Sequence, residues 1–236
     1  MAGMAILLSS AIGFCDTPNL QSEEGFNQWF SYYYLKPDPQ RVPEAIRYFA
    51  GSLSEKYPNS RMPVAAFLAA LFKADDALTG KVFSDISADG SENSKVLMVN
   101  ALWLADTVKS RELLGKAKTQ WNTPLLSGII DRKNKSRADN LMEAPIQSPL
   151  ILDMLWATFF ATGSPEPIER IISVLHLMKE GHEMELLVGG AADWSLASNA
   201  QQHQRVYELC KAKLESSEGV TKELLQEIVQ NAGAKN

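Results

Sequence analysis

Three histidines are the first residues in this chain with the chemistry of a site. His176 and His182 stand six apart, with Glu183 and Glu185 following. Helical zinc pairs need i, i+4 or i, i+3 spacing so that two imidazoles share one face. HEMEL lacks the second histidine of that motif, and Gly181 is expected to break the helix between the pair. His203 follows Gln201-Gln202 at a helix junction and is expected to cap or hydrogen-bond there. The stretch DISADGSE puts Asp85, Ser87, Asp89 and Gly90 at positions 1, 3, 5 and 6 of a calcium loop. Val96 then stands where the bidentate glutamate belongs, so the stretch reads as an Asp/Ser/Gly turn. LTGK at 78–81 has Asp75 in place of the first P-loop glycine and Val82 in place of the magnesium-binding hydroxyl. No G-x-S-x-G elbow or G-x-G-x-x-G loop is present, and Cys210 lies within YELCKAKL, a helix pattern.

No catalytic, cofactor-binding or metal-binding set is assigned from these residues, and no cofactor is implied. The least implausible polar grouping is Asp193, Asn199, His203 and Arg205, in which Asn199 and His203 are i, i+4. Adjacent acids such as Glu23-Glu24 and Asp75-Asp76 point apart on a helix and suit the positive end of its macrodipole. Tyr32 and Tyr34 fall off the apolar stripe around them. Exposed tyrosines favour protein contact, so these two mark an expected interaction surface.

The elements that would position such residues are helices. Apolar residues recur at i, i+3, i+4 and i+7 almost throughout, and period-2 alternation is nearly absent. The spacing predicts helices at about 60–74, 93–105, 108–118, 149–162, 165–180, 183–200, 203–215 and 221–231, with a shorter one within 75–86. The expected class is all-α. Phe26, Trp29, Phe30 and Tyr33 form one stripe, and Val42, Ala45, Ile46 and Phe49 the next. Pro37-Asp38-Pro39 divides them, with Asp38 as an N-cap and Pro39 in a first helical turn.

The same pattern returns 126 residues later. Leu152, Leu155, Trp156 and Phe159 repeat the first stripe; Ser164-Pro165 repeats the turn; Ile168, Ile171, Ile172 and Leu175 repeat the second. A Trp-bearing helix follows each unit, around Trp103 and Trp194, in looser register. Two related halves, 22–118 and 149–232, are therefore expected as stacked antiparallel hairpins, with 119–148 connecting them. The pattern resembles α-solenoid architecture of tetratricopeptide or HEAT style, because a hairpin that cannot bury its apolar face alone must stack. The tetratricopeptide, ankyrin and leucine-rich consensus sequences are absent, and no family is identified.

Composition narrows the partners. The 236 residues carry a net charge of −5, which disfavours nucleic acid, whose phosphates need a basic stripe. The cluster Arg132, Lys133, Lys135 and Arg137 reads as a solvated loop. Two cysteines, Cys15 and Cys210, make no disulfide framework. Residues 1–15, MAGMAILLSSAIGFC, are too short to span a bilayer, so no integral membrane span is expected. Gly13 and Cys15 suit a cleavage site, but no basic residue precedes the apolar run. Both readings stay open: a cleaved signal with export to a periplasm or outside the cell, or an ordinary N-terminal helix of a cytoplasmic protein. The function expected is a non-enzymatic helical-repeat scaffold that binds a protein or peptide. The alternative is an enzyme or small-ligand-binding domain whose site forms only in three dimensions.

Overall fold

A computed structural model describes residues 17–180 and 182–233, and the expected signal at 1–15 lies outside them. Every regular element among the described residues is helical. Contacts divide the chain into two compact units. The first comprises the described residues up to Asp139 with Phe160–Thr162, and the second the rest.

In the first unit, α1 (Glu23–Tyr32) starts at Ser22, whose hydroxyl accepts from the Gly25 amide at 3.1 Å, and Glu23 and Glu24 occupy its first turn. Pro39 opens a 3₁₀ turn that leads into α2 (Val42–Tyr48), and α2 runs on into a π-helical turn at Phe49–Leu53. Asp38 precedes Pro39 without a side-chain capping bond. Then come α3 (Arg61–Ala74), α4 (Asp76–Asp89) and α5 (Glu92–Ala105). The caps are chemical: Asp75 accepts from the Ala77 and Leu78 amides, and Ser91 accepts from the Ser94 amide. Asp106, at φ 46°, takes the left-handed conformation that ends α5.

Phe67 on α3 is the hub of the first core. Its ring lies 4.6 Å from Phe30, 5.5 Å from Trp29 and 5.2 Å from Tyr33. Every residue from Pro63 to Phe72 is buried, so α3 is covered on all sides. The expected connector 119–148 contains more structure than a linker: beyond α6 (Val108–Gln120) it forms α7 (Pro124–Lys133), with Trp121, Leu126 and Ile130 buried. Both helices pack on α5.

In the second unit, to which it belongs as far as Phe159, α8 (Pro149–Thr162) follows Ser148 and ends at Gly163, left-handed at φ 66°. The helix expected over 165–180 is broken. It forms α9 (Glu166–Ile172), with Pro165 at the N-cap position and no side-chain capping bond, and the short α10 (Leu177–Glu180). Between them, Val174, Leu175 and Leu177 donate three residues back, which tightens the backbone into 3₁₀-like turns and keeps Leu175 buried. The chain ends with α11 (Glu183–Gln202), α12 (Gln204–Ser216) and α13 (Gly219–Gly233). Gly189 lets α11 touch the α10 backbone, since a Cβ there would sit 2.1 Å from the Met178 amide nitrogen.

Each stripe residue and its counterpart 126 positions on is buried, from Phe26 and Leu152 through Phe30 and Trp156 to Phe49 and Leu175. Packing within each unit joins helices close in chain order. In the first, α3 packs on α4 and α5, α4 on α5, and α2 on α4. In the second, α11 packs on α12 and α13, α12 on α13, and α9 on α12. Trp103 lies on α5 and Trp194 on α11, so the two tryptophan helices differ in place within this succession. No helix of the described residues is long and apolar enough to cross a membrane.

Candidate functional site

The polar grouping read from the sequence does not converge. At about 100° per residue, Asp193 and Asn199 lie about 120° apart around α11. The Asn199 amide is turned onto its own helix, donating to the Ser195 carbonyl at 2.9 Å. Asp193 has its carboxyl raised by burial and by the nearby Glu227 carboxylate. His203 is buried where α11 meets α12 and stacks edge-on to Phe159, 6.5 Å between centroids. Burial pushes its imidazole down to about 4, so it is neutral at pH 7. Arg205 is exposed on α12.

His176 lies in the turn before α10, and His182 is the N-cap of α11, its backbone N–H donating to the Glu185 carboxylate at 2.8 Å. Among the described residues no group of three or more His, Cys, Asp or Glu side chains is placed to hold a metal ion. The DISADGSE segment forms no loop. It is the end of α4 and the start of α5, with Asp85 paired to Lys81 at 3.0 Å and Asp89 held by Arg47. Local helix propensity and these cations take up the carboxylates that a calcium loop would need. Cys210 is buried, and burial raises its thiol to about 12, which leaves it unreactive. The basic segment is held in place: the Lys133 ammonium lies 3.4 Å over the Trp103 ring, whose Nε1 donates to the Ser136 carbonyl at 3.0 Å, and Arg137 lies 4.0 Å from the Asp106 carboxylate.

Tyr32 and Tyr34 are both half-buried at the end of α1 and in the 3₁₀ turn after it. Burial raises the Tyr32 phenol. Neither is the exposed tyrosine that its place off the apolar stripe predicts.

Two features escaped the sequence reading. Asp153 on α8 is pushed up to about 6 by burial alone, with no charged neighbour among the causes. The other feature is a surface. On α11, Met184, Leu187 and Trp194 are exposed at 57%, 49% and 62%, at spacings of three and seven that place them on one face with Ala191. From Leu186 to Gln202 the helix has one charged residue, Asp193. A helix apolar all round is normally covered all round. The signal was present in the sequence as the single charge between Leu186 and Gln202, but periodicity alone does not tell which apolar face is inward.

No protein-family model, curated protein or solved structure matches the chain.

Proposed function

We propose that this chain is a duplicated helical-hairpin protein that acts as a protein-binding scaffold, docking a partner helix on the outer face of α11. The observation that carries the reading is the uncovered stripe of Met184, Leu187 and Trp194 on a helix of core composition. Tryptophan is enriched among the residues that carry binding energy at protein interfaces, and an amphipathic helix in an apolar groove is a recurrent binding mode. Tyr32 and Tyr34 are a second candidate contact surface of the same scaffold.

The duplication is supported by the paired burial of the stripes and by element order. α1 begins at 23 and α8 at 149, 126 apart; α5 begins at 92 and α13 at 219, 127 apart. Ser22 and Ser148 precede the first helix of each set. Under this reading the counterpart of α11 is α3, and hairpins stack in the manner of a short solenoid.

The test is affinity capture from the native cell with the full chain, run beside Trp194→Glu. Proteins retained by the parent chain and reduced at least tenfold with the variant are the expected result. A retained set indifferent to Trp194→Glu sinks the reading of α11. A second reading, a small-ligand-binding domain, draws on Asp153 alone; a ligand whose binding disappears in Asp153→Asn would favour it.

A further inference from the structure

We infer that the occupant of the α11 face is a basic amphipathic helix of a partner protein; this rests on the reading of α11 as the docking face. Its apolar side lies on Met184, Leu187 and Trp194, and its Lys or Arg residues meet carboxylates at the edge of that face. The shape admits a helix. At about 100° per residue, Glu183, Met184, Leu187, Gly190, Ala191 and Trp194 fall within about 120° on one side of α11. From Met184 to Trp194 the ridge runs about 15 Å, enough to seat roughly three turns of a partner helix. Gly190 and Ala191 leave a notch between Leu187 and Trp194, and a Cβ at Gly190 would meet nothing within 4 Å. A bulky apolar side chain of the occupant fits there.

The charges around this face have one sign. Glu183 lies about 20° from Trp194 around the helix axis, one turn before Leu187. Asp193, next to Trp194 in sequence, feels the Glu227 carboxylate of α13, which packs on α11. Lys179 of α10 reaches the field of the α13 carboxylates but is held by Glu223 at 2.8 Å. Lys222 lies about 140° round α13 from Glu227, and Arg205 lies beyond the break at His203. Among the described residues no cation stands within ion-pair distance of Glu183, Asp193 or Glu227. A basic helix relieves the repulsion between Asp193 and Glu227. An acidic helix or an anionic membrane surface would add to it.

Two fluorescein-labelled peptides of about 18 residues, roughly five helical turns, serve as probes. One is an amphipathic sequence of leucine and lysine, and the other carries glutamate for every lysine. Fluorescence anisotropy follows each with the full chain at about 0.15 M salt, where charges beyond about 8 Å are screened. The variants are Trp194→Ala and Glu183→Lys/Glu227→Lys, with circular dichroism confirming equal helicity. Glu55→Lys/Asp76→Lys, at exposed carboxylates of the first unit, is the control of equal net charge. The lysine peptide is expected to bind the parent in the micromolar range, about tenfold or more tighter than the glutamate peptide. Trp194→Ala and Glu183→Lys/Glu227→Lys should each weaken it about tenfold, and the control less than about twofold. A control that weakens binding as much as the α11 pair reduces the effect to overall charge and overturns the proposal. A glutamate peptide bound as tightly, and lost with Trp194→Ala, overturns the basic occupant while the docking face stands. No binding of the lysine peptide also overturns it, and the capture experiment then decides the docking face separately. A parent chain that sediments as a dimer, with Trp194→Ala a monomer, would give the face to a second copy instead.

Discussion

Two helices of nearly the same composition meet different fates. α3 carries no charged residue from Met62 to Phe72 and is buried from Pro63 to Phe72. α11 has Asp193 as its one charge from Leu186 to Gln202, yet it buries Val188, Gly189, Ala192, Leu196, Asn199 and Ala200 and leaves Trp194 the most exposed large apolar residue on it. Burial of apolar area is the dominant favourable contribution to folding, at roughly 25 cal/mol per Å². The first helix has realised that contribution within the chain. The second retains an unburied remainder, and an unburied remainder of this shape is what an interface is made from.

The sharpest way to break the contrast is truncation of a large ring on each helix. Phe67→Ala removes the ring on which Trp29, Phe30 and Tyr33 converge, and is expected to cost about 3–5 kcal/mol in urea unfolding. Trp156→Ala in the second unit, buried on α8, is expected in that same range. Trp194→Ala should cost under about 0.5 kcal/mol, measured at concentrations too low for association. A large loss at Trp194 would mean that its ring is held within the folded chain, and the comparison would fail.

The regularity of these helices was legible because their signals are local. Asp75, Ser91 and Thr107 cap where sequence chemistry puts caps, and each accepts from the backbone of its own first turn. What periodicity cannot supply is the covering of a face. Trp29 and Trp194 look alike in sequence, and only packing separates a ring at 6% exposure from one at 62%. The break between α9 and α10 was hidden because the apolar period runs on through Leu175 while the backbone tightens into 3₁₀-like turns. The candidate polar grouping failed because Asn199 and Asp193, close in sequence, lie on different sides of one helix.

Acid sharpens the contrast between the units, since the second holds both the buried imidazole and the carboxylate with the large upward shift. His203 falls from 6.5 to about 4, so the unfolded chain binds its proton first. Its contribution is fully present above pH 6.5 and is lost as pH falls toward 4, by about 3 kcal/mol. Asp153 rises from 3.8 to about 6, so the folded chain binds the proton first, and stability from this group increases as pH falls from about 6 to 3.8. The two nearly cancel between pH 4 and 6. Asp153→Asn should therefore raise stability at pH 7 by about 1–3 kcal/mol and unmask a fall on acidification that begins near pH 6.5. Urea titrations at several pH values measure this; a variant as flat as its parent would contradict it.

Gly189→Ala compares the two sides of α11 at one residue's resolution. Its new methyl meets the Met178 backbone, which cannot yield as a side chain would, so a loss of about 1–3 kcal/mol is expected. Thermal or urea unfolding gives the value directly. No loss would mean that α10 can lift from α11 freely.

The smallest effect has the opposite sign and concerns the next residue. Gly190→Ala places a methyl where nothing lies within 4 Å, and Gly190 sits inside α11 at a helical φ. Alanine loses less backbone freedom on folding than glycine, so this change should stabilise the monomeric fold by about 0.5–1 kcal/mol. Thermal or urea unfolding measures the gain. A variant less stable than its parent would show that the outer side of the helix is occupied by the chain itself, and α11 would then be no different from α3.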